Sequence, residues 1–94
     1  MPGRKTGFAF MFAFVEDYLS GEADRLTFDL DFNHYLMEHY PRMERKNAEL
    51  AECFVFYLAE QGHDVAQGLS DAAHKKLIRK QYNEFVAAMN DGLL

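Results

Sequence analysis

The sequence has one cysteine, no tryptophan, and ten basic residues against fifteen acidic ones. A lone Cys53 cannot build a disulfide framework, which fits a reducing compartment and leads us to expect a cytoplasmic protein. Cys53 lies inside an apolar run with no histidine or basic residue in its own segment, so it reads as a buried, inert thiol. Glycine-rich phosphate loops and nucleophile elbows are missing too. So is any apolar run of membrane-spanning length. The stretch over residues 8–15 has eight residues, where a span needs about 20. It follows Arg4 and Lys5 as a secretory signal would, yet it runs straight into Glu16 and Asp17 without a small-residue cleavage site.

The shortage of bases bears on partners. A net charge of −5 argues against a phosphate backbone, because that affinity comes from counterions released at Lys and Arg. The sign favours a basic partner instead. Residues 11–40 hold seven acids and one base, and residues 48–74 hold five acids and no base. The bases gather at Arg42, Arg45 and Lys46, and again from Lys75 to Lys80. Such segregation predicts a polarised surface.

What is abundant is apolar. Hydrophobic residues make up 49% of the chain, with nine Phe and five Tyr, each able to bury on the order of 150–250 Å². Ninety-four residues make one domain, with residues 1–6 as a flexible tail. Four helices can be read. The first runs from about Gly7 to Leu19, where Phe8, Met11, Phe12, Val15 and Leu19 recur at spacings of three and four, with Gly21 as a left-handed stop. Phe10 and Phe14 project away from that stripe. The second is capped by Asp24 and is expected to end near His39, before Pro41. The third begins after Asn47 and is expected to end at Gly62. The fourth is capped by Ser70 and runs to about Asn90, with Asp91-Gly92 as its stop. Short connections between antiparallel neighbours give an all-α, compact antiparallel four-helix bundle.

Candidate metal ligands are sparse. Asp31, His34 and Glu38 fall at i, i+3 and i+7, and Glu60-x-x-His63 has the spacing used by di-iron bundles. That site needs a second such motif and two further glutamates, and Gly62 interrupts the one present. These histidines therefore read as solvated surface residues, and no metal or cofactor is expected. Adjacent carboxylates such as Glu16 and Asp17 diverge on a helix and do not converge on one substrate atom. No catalytic group is expected. A helix-turn-helix reading fails on charge, since Ser70-Asp71-Ala72-Ala73 opens the last helix with an acid.

The strongest pattern is a stripe of acids. Asp24, Asp31 and Glu38 are spaced by seven, beside the apolar face that carries Tyr35, and Glu16, Asp17 and Glu22 precede them closely. If the first two helices pack as a hairpin, Glu16, Asp17, Glu22, Asp31, Tyr35 and Glu38 form a negative face for a basic protein.

The stretch Phe14-Val15-Glu16-Asp17-Tyr18-Leu19-Ser20-Gly21, then Asp24, Phe28 and Phe32, resembles the opening helical hairpin of the colicin D-type bacterial immunity proteins. The ending from Leu69-Ser70 through Leu77 to Phe85 looks similar as well. This resemblance implies an antitoxin, a four-helix protein whose acidic surface covers the basic, tRNA-binding active site of a nuclease toxin. Only helix-stop and core positions match the motif, so the acidic binding residues rest on charge placement. The alternative is a homodimeric helical scaffold or regulator that pairs through Phe10 and Phe14.

Overall fold

The computed structural model describes residues 6–91. Of the expected tail, all but Thr6 lies outside the described residues, as does Gly92 of the expected final stop. Among the described residues there are helices and no strand. Helix α1 is Gly7–Ser20, and α2 is Arg25–Lys46. Helix α3 is one continuous rod over residues 48–66: an α-helical start, Ala48–Phe54, a π-helical middle, Val55–His63, and a last α turn, Asp64–Ala66. Helix α4 is Asp71–Asn90. Contacts run α1 to α2, α2 to α3, α3 to α4 and α4 back to α1, so the four helices close a ring around the core. No helix among the described residues is long and apolar enough to cross a membrane.

The helix ends follow local chemistry. Gly21 takes a φ of 93°, and its N–H donates to the Tyr18 carbonyl, closing α1. The Asp24 carboxylate accepts from Thr27 N–H at 2.8 Å, and the Asn47 and Ser70 side chains accept from Leu50 and Ala73 N–H in the same way. The hydrogen bond from Thr27 holds the exposed Asp24 carboxyl below its ordinary pKa.

Two expected helix ends are corrected. Helix α2 does not stop at His39 but carries Pro41 inside it and continues to Lys46. The extra turns bring Met43 into the core, fully buried, and end where Asn47 N–H reaches the Met43 carbonyl. Pro41 is exposed, so the carbonyl it cannot serve is left to solvent. Gly62 does not end α3 either. It lies within the π-helical stretch, buried, where a Cβ would sit 3.0 Å from the Tyr57 carbonyl oxygen and 3.4 Å from Ile78 Cδ1. The tight contact is with the Tyr57 carbonyl of α3 itself, so the π-helical turn leaves little room for a side chain, while Ile78 of α4 sits at ordinary contact distance.

Phe28, Phe32, Phe54 and Phe85 are wholly buried at the centre, with Met11, Val15, Leu58 and Ile78. Phe10 and Phe14 are half-buried between α1 and α2. The Phe10 ring stacks on His39 at 4.1 Å and meets Tyr35 edge-on at 4.9 Å, while Phe14 stacks on Phe28 at 5.4 Å. Both rings thus help to join α1 to α2 while keeping part of their surface exposed.

Candidate functional site

Packing α1 against α2 leaves a cleft of about 570 Å³ lined by Phe10, Ala13, Phe14 and Asp17 of α1 and by Tyr35, Glu38 and His39 of α2, with Thr6 at its mouth. The floor is aromatic, because Phe10 and Phe14 sit one turn apart on α1 and both meet the Tyr35 ring edge-on. The rim is acidic, with Asp17 and Glu38 on opposite helices, both exposed. His39 is held at the floor by Gly7, whose N–H donates to His39 Nδ1 at 3.1 Å. That bond makes Nδ1 an acceptor, so the hydrogen of a neutral ring sits on Nε2, which lies 3.9 Å from Glu38 Oε2. Gly7 adopts a φ of 60° and lies 3.5 Å, measured from a Cβ position, from Arg42 Cβ. The backbone twist is what suits glycine, since the contact itself is an ordinary one.

Of the six residues expected to bind a partner, the structure brings Asp17, Tyr35 and Glu38 into this cleft. Asp31, half-buried, continues the same stripe of α2 one turn before Tyr35. Glu22 is exposed in the turn that joins the two helices. Glu16 diverges, as an adjacent helix position must. Its Oε2 accepts a 2.6 Å hydrogen bond from the Tyr82 hydroxyl of α4. Asp24 also points elsewhere, into a second cleft of about 690 Å³ beside Lys75, Lys76 and Arg79.

A buried polar cluster was not visible in the sequence. Tyr18 Oη lies 2.6 Å from His74 Nδ1, and His74 Nε2 lies 2.9 Å from Asp29 Oδ1. His63 Nε2 sits 3.4 Å from the Asp29 carbonyl oxygen. Arg25 completes the cluster. Its guanidinium reaches Asp29, Asp71 and the carbonyls of Ala66, Gln67 and Leu69, tying the start of α2 to the end of α3. An acid, an imidazole and a hydroxyl in series can relay a proton. Here, however, Tyr18 is 2% exposed, and burial followed by the charge of Asp29 raises its pKa, so the hydroxyl stays protonated and out of reach. The cluster serves to clamp four elements together. Among the described residues no buried side-chain nitrogen or oxygen is left without a hydrogen bond. Also among them, no group of three or more His, Cys, Asp and Glu side chains is placed to hold a metal ion.

Asp29 carried the only signal for this cluster, as an acid between Phe28 and Phe32 on the inward arc of α2. The cleft floor was signalled by Phe10 and Phe14, which have too much apolar surface for a solvated face. Comparison of the chain with protein-family models, with curated proteins and with solved structures gives no match.

Proposed function

We infer that this chain is a non-enzymatic binding protein of the immunity type, one that covers the basic surface of a bacterial nuclease toxin inside the cytoplasm. The observation that carries this reading is the α1–α2 cleft, where Asp17 and Glu38 flank a floor of Phe10, Phe14 and Tyr35. A lysine or arginine of the partner entering it meets two carboxylates beside an aromatic floor that shelters its aliphatic stem. Asp31 and Glu22 extend the negative field along the hairpin and steer the encounter.

The test is co-expression with a toxin-like product of the adjacent reading frame, together with association kinetics against an arginine-rich peptide. Protection of growth is expected, with an on-rate that falls steeply as salt rises. Asp31→Lys combined with Glu38→Lys sets like charges against the partner and should abolish protection while leaving the thermal melt unchanged, because Glu38 is exposed and Asp31 is outside the core. A double variant that melts normally and still protects at full strength removes this face from the reading.

A further inference from the structure

The outer face of α2 carries an anomaly unrelated to the acidic cleft. Leu26, Leu30 and Met37 stand 66%, 69% and 77% exposed. With the exposed Asn33 they follow a 4-3-4 spacing, so they share one stripe along the helix. Soluble chains rarely expose several large apolar side chains in one line without a partner.

We propose that this stripe pairs with the same stripe of a second copy of the chain, the two α2 helices lying antiparallel about a two-fold axis near Asn33. Three observations select a second copy over another partner. First, an axis between Asn33 and His34 matches apolar residues in pairs along the seam. Leu30 and Met37 lie equally far on either side of the point between Asn33 and His34, so each copy's Leu30 meets the other's Met37, and Leu26 meets Pro41. Second, a lone Asn within an apolar helical seam is the residue that fixes register, and beside the two-fold axis it lies next to its own counterpart across the seam. Third, α2 starts beside Glu22 and Asp24 and ends with Arg45 and Lys46. Antiparallel pairing sets each acidic start against the other copy's basic end. Parallel pairing would set like against like.

The pairing leaves the acidic cleft open. Asp31 and Glu38 each follow a stripe residue directly and so lie about 100° further round the helix. A seam of three large apolar residues per copy is small, so association is expected to be weak, with a Kd of roughly 10–100 µM.

Sedimentation equilibrium on the full chain tests this. The mass should rise from 10.9 kDa towards twice that value between about 10 µM and 1 mM protein. Leu30→Glu and, separately, Met37→Glu should raise the Kd at least tenfold with an unchanged melt, since both positions are exposed. Arg45→Glu should weaken pairing, and adding Glu22→Arg should restore it. Geometry is read by a short bis-maleimide in a Cys53→Ser background. Asn33→Cys should cross-link to itself, whereas two copies of Leu26→Cys lie roughly 15 residues apart along the seam, about 22 Å, and should not. A chain that stays monomeric at the highest concentration overturns the proposal, as does a dimer indifferent to both glutamates or one that cross-links equally at both cysteine positions.

Discussion

The Tyr18 hydroxyl sits 2.6 Å from His74 Nδ1 across 56 residues of chain, on a ring whose other nitrogen is 2.9 Å from Asp29. In the neutral tautomer with the hydrogen on Nε2, His74 donates to the Asp29 carboxylate and its Nδ1 accepts from Tyr18. Tyr18→Phe removes that donor and leaves a fully buried imidazole nitrogen unpaired. The expected loss is about 1–3 kcal/mol in urea unfolding. A loss below about 0.5 kcal/mol would mean that water serves the nitrogen instead.

Phe28 and Phe54 are both wholly buried. Phe28→Ala or Phe54→Ala should each cost roughly 3–5 kcal/mol, a large share of the 5–15 kcal/mol typical of a whole domain. Chemical denaturation measures this directly, and a change under about 1 kcal/mol would place the ring outside the core.

Pro41 interrupts α2 without capping it. Its replacement by Ala supplies an N–H for the Met37 carbonyl and relieves the ring's clash with it, so Pro41→Ala should stabilise by about 1–3 kcal/mol. If the melting temperature falls instead, the backbone geometry that Pro41 imposes is what seats Met43 in the core.

Burial, and then the neighbouring Glu16, raises the Tyr82 pKa; burial followed by Asp29 raises that of Tyr18. In the unfolded chain both hydroxyls titrate near 10. Above that pH the unfolded state loses protons that the folded state keeps, so stability is full below pH 10 and declines as pH rises past it. Unfolding midpoints between about pH 8 and 11 should show the decline. It should be shallower in Tyr82→Phe, and an unchanged slope there would remove Tyr82 as a source.

The sequence revealed the four helices, the stop of the first at Gly21 and the starts of the others at Asp24, Asn47 and Ser70, because these residues act through their immediate neighbours. It misplaced the stops at Pro41 and Gly62: Met43 gains a buried site further along α2, and Gly62 is buried inside α3 beside the Tyr57 carbonyl. The cleft was half legible. Seven-residue spacing found Asp31 and Glu38, but no periodicity shows that Glu16 turns towards Tyr82 while Asp17 does not. His63 and His74 looked like surface residues, since what buries them is Asp29, a residue 34 and 45 positions away.

The π-helical middle of α3 bears on how this chain tolerates changes in length. Each i→i+5 bond encloses one residue more than an α-helical bond, so the segment holds roughly one residue that its span does not need. Glu60 and Gln61, both exposed, are where that surplus can be taken out. Deleting either should let the stretch tighten to an α-helix with Phe54 and Ala66 still in phase, and a cooperative melt should survive. The same deletion at Glu52 offers no such slack and turns everything before it by about 100°. An equal collapse of both shortened chains would mean that the wide turns are required in themselves.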